Sequence, residues 1–307
     1  MLAPWYRLVE DGDRLLLEHG RSVVVLEGRA VRVFLPVLLP LLDGTRTVDE
    51  IVARLGEAAR PALDLALELL GTNGLLVEGP APAPGAPASA LGLAAHYGVS
   101  PAVAAERLRL AAIGIAGTSK TAEVLARLLH AAGVGAVSRL AWDDTGEVDL
   151  AIVVPASVES PLVSSWNRLA LRRGTRWLGV RPFDGLIGTV GPLVVPGESA
   201  CHECLLHRFA AHVDYGRDLI RIEGTPPAAG ELAPLDSIAA GVAAQLALGW
   251  VAGLDTTLPG VIHVLEVRPA LSVTSHPILR VPRCPACSTA EELAPPLPWH
   301  EAEPAAA

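Results

Sequence analysis

The chain has 307 residues, 51% of them hydrophobic, and carries 33 acidic against 24 basic side chains for a net charge of −9. That length favours about two domains, and the scattered acidic excess reads as solubility and argues against a nucleic-acid backbone as the main partner. No run reaches the ~18 uncharged apolar residues of a membrane span, and MLAPWYRLVEDGDR lacks the basic-then-apolar order of a signal peptide, so a cytoplasmic location with no membrane partner is expected.

The first elements read as strands. Leu15-Leu16-Leu17 leads to a turn at His19-Gly20-Arg21, and Val23-Val24-Val25-Leu26 leads to a second turn at Glu27-Gly28. Val31, Val33 and Leu35 then alternate with Arg32 and Phe34. Together these predict a three-strand antiparallel meander. Pro36 to Leu42 is a short apolar stretch closed by Asp43-Gly44. Thr47, with Glu50 three residues on, has the spacing of a capping box and opens a helix whose Val48, Ile51, Val52 and Leu55 share one face. Pro61 starts a third helix that ends at Gly71 and Asn73-Gly74, before a short strand at Leu75-Leu76-Val77. Strands, three helices and a closing strand predict a winged helix-turn-helix over 1–79.

The third helix is apolar on two sides. Leu63, Ala66, Leu67 and Leu70 form one face; Leu65 and Leu69 form another. One face suffices for a core of this size, so the second needs a partner. Either it packs on the C-terminal domain, or it lines a groove beside the Val31–Leu35 strand that receives a peptide.

Residues 80–90, PAPAPGAPASA, predict a linker. It leads into a larger unit, 91–295, and a tail, 296–307, expected to be disordered. The larger unit alternates strand and helix. Leu110 to Ile115 is a buried strand, Thr121 to Ala132 a helix ended by Gly133, and Leu140 the start of a second strand. Asp149 to Val154 is a third strand, Ser164 to Arg172 a helix, and Trp177 to Val180 a further strand. Ser237 to Val251 is an alanine-rich helix, and Val261–Val267 with Leu271–Thr274 fits a late hairpin. This order predicts an α/β fold with a mostly parallel sheet and crossover helices.

All four cysteines fall in two Cys-x-x-Cys pairs, Cys201-His-Glu-Cys204 and Cys284-Pro-Ala-Cys287. In a reducing compartment such pairs point to metal rather than disulfides, and four thiolates suit a tetrahedral Zn2+ ion. With every position filled by protein, none is left for an activated water, so the ion's expected role is structural. His202 and His207 are surplus to that set and expected at the surface.

Other signals leave alternatives open. Gly114-Ile-Ala-Gly117-Thr118-Ser119 stands where a dinucleotide fold places its glycine-rich turn. It reads equally as a strand–helix turn whose glycine permits tight packing. Asp143-Asp144 either holds a ribose or forms a solvated turn with Thr145-Gly146. Arg168, Arg172, Arg173 and Arg176 are either a phosphate site or the polar face of a helix. The serines lack the nucleophile-elbow pattern.

Residues 191–209, GPLVVPGESACHECLLHRF, resemble the Cys-x-x-Cys segment of ThiF-like proteins, relatives of ubiquitin-activating enzymes. With RVPRCPACS they most resemble the ThiF-like partners of YcaO-type cyclodehydratases in azole-forming RiPP pathways, which make ribosomally produced peptide natural products. The N-terminal unit resembles the precursor recognition element of such pathways, a winged helix-turn-helix. The resemblance implies a Rossmann-like ThiF fold and a possible homodimer. It also implies a leader peptide that pairs with the third strand and rests on the third helix. On that mapping the peptide-binding residues are Arg29, Val31, Arg32, Val33, Phe34, Leu65 and Leu69, where Arg29 and Arg32 either pair with acidic leader residues or are ordinary solvated arginines. It implies no catalytic residue here: a separate YcaO protein supplies the ATP chemistry. The alternative it carries is an ATP-dependent adenylating enzyme acting on a peptide.

Overall fold

The computed structural model describes residues 1–157, 160–181, 183, 185–222, 225 and 232–288. The tail at 296–307 lies outside them. The chain forms two compact units, Met1–Leu110 with Ala131–Gly133, and residues 111–130 with those from Val134 on.

In the first unit, β1 (Arg7–Asp11), β2 (Arg14–His19) and β3 (Ser22–Glu27) form an antiparallel sheet in the order β1-β2-β3. Each two-residue turn puts a positive-φ glycine first, Gly12 and then Gly20, which suits the twist of a hairpin. Short helices α1 (Arg29–Val33) and α2 (Leu35–Leu38) follow, then a single 3-10 turn, Leu39–Leu41. Next come α3 (Val48–Leu55) and α4 (Arg60–Thr72). Thr47 closes the expected capping box. Its hydroxyl accepts from the Glu50 amide at 3.3 Å, and its own amide donates to Glu50 Oε2 at 2.7 Å. Leu15, Leu17 and Leu26 of the sheet share one core with Leu38, Ile51, Leu63 and Leu70 of the helices.

The third strand is not where the alternation put it. Residues 29–33 are helical, so Arg29, Val31, Arg32 and Val33 lie on α1, with Phe34 as its C-cap. The buried positions are Val31, Leu35, Leu38 and Leu42, a spacing of three to four that belongs to a helix. Val33 and Val37 are 67% and 54% exposed, so the period of two had no buried face behind it. The sheet gains β1 instead, whose five residues are all exposed and carry no alternation. Leu75–Val77 is held by the N-terminus rather than by the sheet. The Ala3 amide donates to the Leu75 carbonyl at 2.8 Å and the Val77 amide to the Met1 carbonyl at 3.0 Å.

The proline-rich segment has no regular element through Pro87, yet it is pinned to this unit. The Ala81 amide donates to the Gly44 carbonyl at 3.3 Å, and Ser100 Oγ donates to the Pro80 carbonyl at 2.9 Å. Two alanine-rich helices, α5 (Ala88–Tyr97) and α6 (Pro101–Leu110), complete the unit.

The second unit begins with β4 (Ala112–Ala116), α7 (Lys120–Ala131), β5 (Ala136–Leu140) and β6 (Leu150–Val153). It continues with α8 (Leu162–Arg173), β7 (Trp177–Arg181), β8 (Ile187–Val194), α9 (His202–Ala210) and α10 (Gly216–Ile222). It closes with α11 (Ala233–Val251), β9 (Val261–Glu266) and β10 (Ser272–Pro277). One mixed sheet runs β5-β4-β6-β7-β8-β9-β10. The first four strands are parallel and the last three antiparallel. Leu140 ends β5 instead of starting it, because this edge strand is mostly exposed and its apolar signal is thin. Among the described residues one helix, α11, is long and apolar enough to cross a membrane. It packs on β7 and β8 and buries Ala239, Ala240, Ala243, Ala244 and Ala247, which is how a core helix behaves.

Candidate functional site

Cys201 is the N-cap of α9 and Cys204 lies in its first turn, while Cys284 and Cys287 occupy a turn beyond β10. The Sγ atoms of Cys201 stand 3.8 Å from Cys204 and 3.8 Å from Cys284, and those of Cys204 and Cys287 are 3.5 Å apart. A disulfide would need ~2.05 Å. Four sulfurs at ~2.3 Å around a tetrahedral ion would be spaced by about 3.8 Å. All four lie within 4.8 Å of one another and can hold a metal ion.

The pocket sets the thiols unequally. Cys201 donates to Cys204 and is buried, and both effects push its pKa up. That same bond, with the Val281 amide at 3.3 Å, pulls Cys204 down to about 4 in spite of burial. Burial, then the bond to Cys204, pushes Cys287 up to about 11. A bound cation would displace the remaining protons.

Arginine bridges hold the two cysteine segments together. Arg208 of α9 donates to the carbonyls of Leu279 and Arg280 at 3.2 and 3.1 Å. Arg280 donates to those of Gly197 and Cys287 at 3.1 and 3.0 Å. Trp166 and Trp177, both fully buried, belong to the same core cluster as Cys201, Cys204 and Cys284.

His202 is not at the surface as expected. It is 5% exposed, beside Trp177 with ring centroids 6.4 Å apart, and its amide donates to Asn167 Oδ1 at 3.2 Å. Burial, and secondarily the Arg181 charge, lowers its pKa from 6.5 to about 3. The folded value is depressed, so its contribution to stability is complete above 6.5 and is lost as pH falls towards 3. Protonation of Cys204, whose pKa is also depressed, acts in the same direction. Urea midpoints should therefore fall steadily on acidification below pH 6.5; a midpoint unchanged down to the carboxylate range would contradict this.

The glycine turn after β4 is shaped by packing. Gly117 has φ +125°, and a Cβ there would run into the Val154 carbonyl oxygen just past the end of β6. The Leu140 side chain covers Gly114. Gly117→Ala should cost more than ~2 kcal/mol, from the strained φ together with the backbone clash; a denaturation midpoint close to wild type would count against this account. Asp144 takes Arg173 at 2.6 Å and the Gly146 amide at 3.1 Å, which makes it a paired turn residue.

In the first unit, β3 pairs with β2 alone among the described residues, leaving one edge free. Val23 and Val25 on it are 55% and 46% exposed, and Leu65 and Leu69 of α4 are 68% and 43% exposed. Among the described residues the sheet thus has two unpaired edges, β1 and β3, and Leu65 and Leu69 lie on the outer side of α4. A hollow of about 400 Å³ beside Val48, Ile51, Leu67 and Val77 had no signal in the sequence.

No family model matches this sequence, and no curated protein sequence matches it. Solved structures do. A heterocyclase in complex with substrate and cofactor matches with a TM-score of 0.70 at 25% identity, over 94% of this chain and 39% of its own. The heterocyclase TruD matches at 0.72 and 24%, over 94% and 42%. Escherichia coli MccB with AMPCPP and MccA matches at 0.65 and 15%, over 94% and 99%. This chain spans about two fifths of the length of the heterocyclases, 39% and 42%, and nearly all of MccB. In fold, the chain is a ThiF-like protein built along the lines of these heterocyclases and of MccB.

Proposed function

We propose that this chain is a non-catalytic partner in RiPP biosynthesis that binds the leader of a precursor peptide and presents the peptide to a YcaO-type cyclodehydratase for azoline formation. The N-terminal unit acts as a winged helix-turn-helix recognition element. The observation that carries this reading is the free edge of β3 with exposed Val23 and Val25, in the same unit as exposed Leu65 and Leu69. An open edge offers backbone hydrogen bonds to an extended peptide, and apolar side chains supply selectivity. The assignment moves the pairing strand from 29–35 to β3. Arg29, Arg32, Val33 and Phe34 then flank it from α1, which packs on β3, while Val31 serves the core. The four cysteines hold structural zinc. Tethering a substrate in this way raises its effective concentration at the companion enzyme by orders of magnitude without new contacts.

The fit to MccB over its full length supports a second reading, an adenylating enzyme. The glycine turn lends that reading no separate support, because Leu140 over Gly114 and the Val154 carbonyl beside Gly117 account for both glycines by packing alone. Two measurements decide between the readings. A fluorescently labelled leader should bind the full chain at micromolar affinity or better, and ATP–pyrophosphate exchange with peptide present should be absent. Exchange above background, or no binding to a precursor encoded beside this chain, would overturn the proposal.

A further inference from the structure

A second surface of the C-terminal unit has the chemistry of a binding site. A cleft of about 360 Å³ runs between α8 and the second cysteine turn. Arg168 and Arg172, four residues apart and so on one face of α8, line one wall; Gly197 and Cys287 lie on the others. The helix sorts its arginines. Arg173 is taken by Asp144, and Arg168 has Glu203 only at 3.9 Å. Arg172 is exposed and has no acidic partner among the described residues. No lining residue is acidic, in a chain whose overall charge is −9. The shape is held in advance, because the Arg280 bond pair ties the Gly197 carbonyl to that of Cys287 across the cleft.

We propose that this cleft is an oxyanion site that takes the carboxylates of an acidic polypeptide segment. Guanidinium forks match carboxylate and phosphate geometry. Beside Ser288, the lining also carries the apolar side chains of Leu171, Pro196, Pro285 and Ala286. A free ion would leave that surface wet, whereas the methylenes of a glutamate side chain cover it. A rival role for the arginines is to offset the negative charge of a metal–tetrathiolate centre.

The test uses full-length, metal-loaded protein and fluorescein-labelled hexaglutamate, with hexalysine as control. Arg172→Glu should weaken hexaglutamate binding at least about tenfold, and Arg127→Glu, an exposed arginine on α7, should change it by less than about twofold. Bound metal should be the same in all three proteins. Equal losses in the two variants would overturn the proposal, as would displacement of the peptide by stoichiometric inorganic phosphate. Loss of metal in Arg172→Glu, with no peptide binding by wild type, would assign the arginines to charge offset instead. Leader binding by the first unit is read separately in the same proteins, so failure here leaves that reading standing.

Discussion

Cys204→Ser should release the metal and unfold the C-terminal unit, with a loss of more than ~4 kcal/mol, the range in which removing a structural ion falls. Cys204 is the sulfur nearest two of its partners, at 3.8 Å from Cys201 and 3.5 Å from Cys287. It is also the thiol the pocket already favours as an anion. Serine there leaves three sulfurs and a hydroxyl, a set that no longer suits a soft tetrahedral ion. Trp166 and Trp177 sit in the same cluster, so their fluorescence should shift to the red as the unit opens. Elemental analysis of the purified chain should give one zinc per molecule, and a strong chelator should reproduce the mutant's spectrum in the wild type. A metal-free wild type with the same thermal midpoint would end the structural-zinc reading.

Leader binding should fall roughly a hundredfold, about 3 kcal/mol, in the double substitution Leu65→Asp/Leu69→Asp. Both side chains stand on the outer side of α4, while Leu63, Ala66 and Leu70 fill the core from the inner side. Folding stability should therefore change little, since exposed substitutions clear of the core are usually near neutral. A loss of binding with the thermal midpoint preserved assigns these leucines to recognition. Undiminished binding would move the leader site elsewhere in the chain. Proline at Val25 offers a second arm, because it removes a backbone donor from the strand proposed to pair with the leader.

The sequence was most readable where the chemistry is local. The two Cys-x-x-Cys pairs, the Thr47–Glu50 cap and the runs Leu150–Val153 and Trp177–Arg181 each announce themselves within a few residues. The errors share one cause. Strands β1 and β5 lie at sheet edges with little buried surface, so no alternation marks them. Val31, Val33 and Leu35 fit a period of two and a helix equally well, and only the burial of Leu38 and Leu42 decides between them. His202 was misplaced because its surroundings come from Trp177 and Asn167, neither of them near it in the chain. Helices α5 and α6 are built largely of alanine, which gives helix propensity but little contrast between faces.

The two cysteine pairs are 83 positions apart, and all of α11, β9 and β10 lies between them. Joining ends so distant carries an entropic penalty that grows only slowly with separation, and the bonds of a captured ion would offset it. Until Cys287 has left the ribosome the tetrahedral site cannot assemble, and the antiparallel half of the sheet lacks its clasp. Metal capture would thus wait for Cys287, and without the ion the C-terminal unit would stay half-closed and protease-sensitive.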